Sequence, residues 1–128
     1  MRDEARYYRS VLDNLSGGFI SVDLAGDVVY ANPTAGRILR LTIGAMLGQP
    51  YQRALEPYPE LLAVVGVTLE TRASVHRAEV TVKHGDAAMI IGYSTLQVRT
   101  PEGESLGIGI IFQDLTLIQG QKAARAAP

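Results

Sequence analysis

The stretch that decides the fold is residues 18–35, which read GFISVDLAGDVVYANPTA. Phe19–Asp23 and Val28–Ala31 are two short runs rich in apolar and β-branched residues, so these segments predict two β-strands. The segment between them includes a glycine suited to a turn, and the strands are therefore predicted to form a hairpin. Asn32 and Pro33 then have the residue types preferred at the N-cap and the first position of a helix.

Beyond this opening, the pattern predicts a block of helices followed by three more strands. The clearest helix of the block is predicted over Glu60–Glu70, where apolar residues recur at helical spacing. Alternation over Arg77–Lys83 predicts a half-exposed strand, and two more strands are predicted over Ala88–Arg99 and Leu106–Gln113, with turn residues between them. A helical block between two sets of strands favours an α+β domain with one antiparallel sheet and helices on one face.

The two ends of the chain have patterns of their own. Residues 1–16 are predicted to form an amphipathic helix because apolar side chains recur there every three or four positions. Residues 17–116 form the predicted core, and 117–128 a short exit segment that is helical or frayed. The charged N-terminus does not resemble a signal peptide, and no stretch approaches the ~20 apolar residues of a membrane span, so membrane insertion is not expected.

The composition narrows the classes of function. The 128 residues include 12 Lys and Arg against 13 Asp and Glu. Because basic residues are not in excess, nucleic-acid binding is not expected. The absence of cysteine excludes thiol catalysis, cysteine-ligated metals and a cysteinyl-flavin adduct, and suits a reducing cytosol. The two histidines, His76 and His84, have no metal-ligand spacing and no partner arrangement for catalysis, so an enzyme is not expected.

Four stretches, in this order and spacing, resemble the PAS domain, a sensor module common in bacterial two-component kinases. They are the opening stretch 18–35, Leu47–Pro50, Val98–Gly103 and Gly107–Thr116. The resemblance spans Tyr8 to Thr116 and is nearest to PAS domains that precede histidine-kinase helices. It implies a five-stranded antiparallel sheet in the order 2-1-5-4-3, with the helical block on one face and the N-terminal helix on the other.

Strand parity and helix spacing predict which side chains face the interior, where PAS relatives hold ligands. For the long strand Ala88–Arg99, which is apolar on both faces, the resemblance implies that Ile91 and Tyr93 face inward. The candidate pocket lining is Ile20, Val22, Ile38, Leu39, Leu62, Val65, Leu69, Val80, Val82, Ile91, Tyr93, Ile108, Ile110 and Phe112. The set is almost wholly aliphatic, with the Tyr93 hydroxyl as its one polar group. The resemblance then implies neither haem, since the long helix has no histidine, nor flavin. A small apolar ligand and a filled core without ligand both remain open.

The outer face of the predicted sheet carries apolar side chains that the helical block does not cover. Such a patch indicates an interface, and the N-terminal helix is predicted to cover it in its own subunit or across a homodimer. The candidate interface residues are Tyr7, Tyr8, Val11, Leu12, Leu15, Ile90, Leu96 and Ile111. Gly107 and Gly109 alternate with isoleucine, which would let this helix approach the last strand closely.

Asp114, Leu115 and Thr116 form the predicted exit from the sheet. Asp and Thr side chains commonly bond backbone groups at such junctions, so the residues read as a structural cap. The resemblance implies that the junction also passes strain to a following coiled coil. The whole pattern favours a cytoplasmic sensory and dimerisation module of a bacterial signalling protein, a histidine kinase first of all, with an output or kinase domain as partner. The alternative is a stand-alone interaction or scaffolding PAS domain without ligand.

Overall fold

The structure is a computed structural model, and it describes residues 16–84 and 86–116. The predicted N-terminal helix and the exit segment 117–128 lie outside the described residues, apart from residue 16. The interface residues Tyr7, Tyr8, Val11, Leu12 and Leu15 lie there too.

Five antiparallel strands form one sheet in the order β2-β1-β5-β4-β3, which confirms the predicted topology. They are β1 (Gly18–Asp23), β2 (Val28–Ala31), β3 (Ala78–His84), β4 (Ala87–Arg99) and β5 (Ser105–Asp114). The two hairpins therefore meet through β1 and β5, which places the first and last strands of the sheet side by side at its centre.

The helical block lies between β2 and β3 in the chain. Its members are α1 (Pro33–Leu39), α2 (Ile43–Met46), α3 (Tyr51–Ala54) and α4 (Pro59–Thr71). Asn32 is the N-cap of α1 and Pro33 its first residue, as predicted. Arg40 ends α1 in the left-handed conformation at φ 56°, and Arg72 ends α4 in the same way at φ 59°.

Backbone hydrogen bonds fix the helical block to the edge strand β2. The Val28 N–H donates to the Gln49 carbonyl at 2.9 Å, and the Gly48 N–H donates to the Val28 carbonyl at 2.8 Å. The Tyr51 N–H donates to the Gly26 carbonyl at 2.8 Å. Backbone groups of the β1–β2 hairpin that would otherwise lie open at the sheet edge are thus satisfied by the loop before α3 and by the first residue of α3.

The glycines of β5 accommodate neighbouring parts of the sheet itself. A Cβ atom on Gly107 would overlap the Val22 carbonyl oxygen, and Gly107 has a φ of 153°, which favours glycine. A Cβ atom on Gly109 would lie 2.9 Å from the Phe19 ring. Within the described residues, the space above these glycines is therefore taken by β1 and Phe19, whereas the sequence analysis assigned it to the N-terminal helix.

Candidate functional site

The fourteen predicted pocket residues all belong to one apolar cluster between the sheet and the helices. Nine of them are at most 2% exposed: Ile20, Val22, Leu39, Val65, Val82, Ile91, Ile108, Ile110 and Phe112. The other five pack against the cluster and are partly buried: Ile38, Leu62, Leu69, Val80 and Tyr93. Phe112 lies over Gly18, where a Cβ atom would be 2.6 Å from the Phe112 ring. These side chains thus pack against one another as a hydrophobic core.

Asn32 is a fully buried polar residue that joins β1 to α1. Its Oδ1 atom accepts from the Ala35 N–H at 2.9 Å, which caps the helix, and from the Phe19 N–H at 2.8 Å. Its Nδ2 atom donates to the Gly17 carbonyl at 3.0 Å. The sequence pattern predicted that Asn32 caps the helix. It did not predict the hydrogen bonds of Asn32 with the Phe19 N–H of β1 and with the Gly17 carbonyl.

Tyr58 was not predicted as an interior residue, yet it is fully buried. Its hydroxyl donates to the Leu39 carbonyl at 2.6 Å and so connects the start of α4 to the end of α1. Burial raises the pKa of this hydroxyl, while the nearby Arg40 guanidinium acts in the opposite direction. Tyr93, expected to be the polar group of the interior, is only partly buried. The more deeply buried residues with polar groups are Asn32, Tyr58, Thr68 and Thr95.

The exit residues bind back onto β4 through an arrangement that we call the exit clip: Asp114, Leu115, Thr116 and Ile90. The Leu115 N–H donates to the Ile90 carbonyl at 2.7 Å, and the Ile90 N–H donates to the Thr116 Oγ1 atom at 3.0 Å. The Asp114 Oδ1 atom accepts from the Thr116 N–H at 2.9 Å. Two of these bonds thus join the exit residues to β4, and the third lies within the exit residues themselves.

Leu115 extends the exit clip onto the outer face of the sheet. A Cβ atom on Gly92 would lie 2.6 Å from the Leu115 Cδ1 atom, so the side chain of Leu115 occupies the space that the glycine leaves. A shallow outer groove of about 320 Å³ runs beside it. It is lined by residues of β3, β4 and β5, including Glu79, Gly92, Ile111 and Gln113.

On the inner side of the exit clip lies a second groove, which we call the α1 groove. It has a volume of about 470 Å³. Its lining residues are Thr34, Arg37, Ile38, Arg40, Tyr58, Ala87, Ala88, Met89, Asp114 and Thr116. Sequence reasoning assigned no role to Arg37 or Arg40, because helical spacing marked α1 only by its apolar stripe.

The predicted outer patch, as far as the structure describes it, is apolar and partly exposed to solvent. Ile111 is 37% exposed, and Phe19, Ile90 and Leu96 are partly buried. The Phe19 ring contacts Gly109 and packs against Tyr30 with ring centroids 5.9 Å apart. These side chains leave an apolar surface on the side of the sheet away from the helices.

Two further observations concern metals and membranes. In residues 16–84 and 86–116, no three His, Asp or Glu side chains form a group that could hold a metal ion. None of the helices that the structure describes is long and apolar enough to cross a membrane.

Comparison with known proteins identifies the family. The family model described as the PAS fold matches residues 6–115, so the chain belongs to the PAS fold family. In sequence the chain is similar to the signal transduction histidine-protein kinase AtoS of Escherichia coli K12, with 28% identity over 106 residues. That match covers 83% of this chain and 17% of AtoS, so the chain spans only a small part of its relative.

Solved structures share the fold. The PAS domain of BvgS from Bordetella pertussis matches with a TM-score of 0.71 and 19% identity, over 98% of this chain and 99% of that domain. VqmA of Vibrio cholerae, in a complex with ligand and DNA, matches with a TM-score of 0.65 and 24% identity, over 96% of this chain and 58% of VqmA. At these identities the likeness shows a common fold, the PAS fold, which agrees with the strand order of the sheet.

Proposed function

We propose that this chain is the sensory and dimerisation module of a bacterial signal-transduction protein, a histidine kinase first of all. The observation that carries the proposal is the exit clip, which bonds the last residues of the PAS core to β4. Relation to the kinase AtoS supports the choice of output. Input at the core or at a partner surface would move β4 and β5, and the clip would pass that movement to the chain beyond Thr116.

The proposed module acts as a homodimer in the cytoplasm, without haem or flavin. Support for dimerisation comes from the apolar outer patch and from the amphipathic pattern of the N-terminal segment. Support for the absence of these cofactors comes from the aliphatic composition of the core cluster and from the lack of cysteine. Kinase activity would reside in sequence other than the PAS core.

A second candidate is a scaffolding PAS domain that binds partner proteins and no ligand. The packing of the fourteen predicted pocket residues into one cluster favours it, with nine of them at most 2% exposed. Solvent extraction of the purified protein followed by mass spectrometry discriminates the two, because a sensor purified with an apolar ligand releases it and a scaffold releases none.

The signalling role is tested in a chimera of E. coli AtoS in which this chain replaces the matching residues. Asp114→Ala removes the acceptor for the Thr116 N–H. We expect it to change autophosphorylation several-fold while lowering the stability of the chain by about 1 kcal/mol, the usual effect of one lost junction hydrogen bond. Asp86→Ala, in the exposed β3–β4 turn, is the matched control and should leave activity unchanged.

Autophosphorylation that is equally insensitive to both substitutions would contradict the proposal. So would a large loss of stability in Asp114→Ala with no change of activity, because the clip would then be structural only.

A further inference from the structure

The α1 groove combines a positive wall, an apolar wall and the exit clip. Arg37 and Arg40 come from the last turn and the C-cap of α1. Ile38 and Met89, both partly buried against the core cluster, supply apolar surface. Asp114 and Thr116, two residues of the exit clip, line another side of the groove. The volume of about 470 Å³ lies within the ordinary range for small-molecule sites.

The two arginines are available to an incoming anion. Within residues 16–84 and 86–116, neither Arg37 nor Arg40 forms an ion pair with a carboxylate, and the Arg37 Nη2 atom only donates to the Thr34 hydroxyl at 2.9 Å. Because a guanidinium has several donors in a planar fork, this bond leaves others for a ligand. Carboxylates are the anions that match this fork in two parallel hydrogen bonds.

The charges of the groove indicate how much negative charge it would accept. Two guanidinium groups and one carboxylate, that of Asp114, give a formal charge of +1. A monoanion balances that charge, whereas a phosphate dianion would meet additional repulsion from Asp114. The apolar wall formed by Ile38 and Met89 then suits an aliphatic body of a few carbons.

We propose that the α1 groove binds a small aliphatic monocarboxylate, whose carboxylate is held by Arg37 and Arg40 and whose apolar body lies along Ile38 and Met89. The site lies at the edge of the interior cluster, with which it shares Ile38, Tyr58 and Met89, whereas the sequence analysis expected a ligand inside that cluster. Because Asp114 and Thr116 line the groove, its occupant would contact the exit clip directly. This regulatory consequence rests on the proposed signalling function, whereas the binding does not.

The test uses the 128-residue chain and titration calorimetry with sodium hexanoate, with uncharged hexanamide as the matched probe. We expect hexanoate to bind at least about tenfold more tightly than hexanamide, since charge-assisted hydrogen bonds supply the difference. Arg37→Gln and Arg40→Gln should each weaken hexanoate binding by about tenfold. The matched control Arg99→Gln, an exposed arginine at the other end of β4, should change it by less than about twofold.

A neutral variant tests the position of the ligand. Ala87→Trp, at the exposed start of β4, should fill part of the groove and weaken hexanoate binding without changing any charge. Thermal melts of all variants, followed by circular dichroism, verify that each remains folded.

Several results would overturn the proposal. They are the absence of hexanoate binding, equal affinity for hexanamide, an equal loss in Arg99→Gln, unchanged binding in Ala87→Trp, or inorganic phosphate binding as tightly as hexanoate. Autophosphorylation of the AtoS chimera separates binding from signalling. Binding with the expected pattern but no effect of hexanoate on the kinase would support the site and contradict its regulatory role.

Discussion

At the scale of single residues, Asn32 does more than its position in the sequence indicates. One side chain caps α1, accepts a bond from β1 and donates to the Gly17 carbonyl, and it is fully buried. A buried side chain with partners on both sides fixes the angle between a strand and a helix, because any other arrangement leaves polar groups without water or protein partners.

Replacement of Asn32 by alanine should therefore cost about 2 kcal/mol of unfolding free energy, the upper range for a cap, because it also leaves the Phe19 N–H and the Gly17 carbonyl unpaired. Chemical denaturation measures the change. Thr42→Ala is the matched control, since Thr42 is the N-cap of α2 but makes no side-chain cap bond, and it should cost less than about 0.5 kcal/mol. An equal loss of unfolding free energy in both variants would show that the hydrogen bonds of the Asn32 side chain do not stabilise the fold.

Tyr58 gives the protein a predictable response to alkaline pH. Its folded-state pKa is raised above the ordinary value of 10.0 by burial, so on titration the unfolded chain loses this proton first. The stabilisation that the protonated Tyr58 hydroxyl contributes is complete below pH 10.0 and is lost as the pH rises through the folded-state pKa. Tyr58→Phe should lower stability by about 1 kcal/mol at neutral pH and reduce the decline of stability above pH 10.

Denaturation curves of parent and variant between pH 7 and 11 measure the effect of Tyr58. A decline that is identical in both proteins would contradict the assignment to this hydroxyl. Tyr51→Phe is the comparison for general loss of a tyrosine hydroxyl, because the Tyr51 hydroxyl makes no hydrogen bond within the described residues.

At the scale of secondary-structure elements, the contact between β1 and β5 depends on a glycine. Gly107 pairs with Asp23, and its φ of 153° and the closeness of the Val22 carbonyl leave no room for a side chain. A larger residue would have to displace the backbone of the neighbouring strand, which is less adaptable than the end of a side chain.

Gly107→Ala should accordingly destabilise the fold by about 3 kcal/mol, from overlap and backbone strain together. The matched substitution is Gly44→Ala in α2, where a Cβ atom meets nothing within 4 Å. It should be neutral or raise stability by about 0.5 kcal/mol, because alanine favours the helix. Thermal unfolding distinguishes the two, and a well-folded Gly107→Ala variant with unchanged melting temperature would refute the packing explanation.

At the scale of the whole molecule, the two faces of the sheet differ in what covers them. The helical block covers the inner face, whereas the outer face keeps the apolar side chains of Phe19, Leu96 and Ile111 at or near the surface. An apolar face of this kind favours association, either with the N-terminal segment or with a second copy of the chain.

If the outer face carries the dimer, Ile111→Glu should weaken self-association by at least about tenfold, since the charge would be buried at the interface. Val67→Glu is the matched control, because Val67 is 56% exposed on α4 and lies on the opposite side of the molecule. Sedimentation equilibrium of both variants beside the parent measures the change. A monomeric parent, or equal weakening by both substitutions, would contradict an outer-face dimer.

How much of this protein could be predicted depends on the range of the interactions concerned. The Asn32-Pro33 helix start and the faces of most strands were predicted from local signals, namely capping residues, turn glycines and alternation with period two. The sheet order and the faces of β4 came instead from the resemblance to the PAS domain. The fourteen predicted members of the interior cluster followed mainly from the same periodicity. Boundaries differed by only one or two residues at most strands, where hydrogen bonding continues past the last apolar side chain.

The sequence by itself therefore determined the pattern of strands and helices and many of the core side chains, whereas the tertiary structure decided the sites and added Tyr58 to the core. Arg37, Tyr58 and Asp114 line one groove although they lie far apart in the chain, and the Ile90 N–H meets the Thr116 hydroxyl across a separation of 26 residues. Tyr58 continues the apolar spacing of α4, three residues before Leu61, but the bond from its hydroxyl to the Leu39 carbonyl depended on where α1 and α4 met. Periodicity reports the environment of a residue within its own element, and only folding brings distant polar groups together.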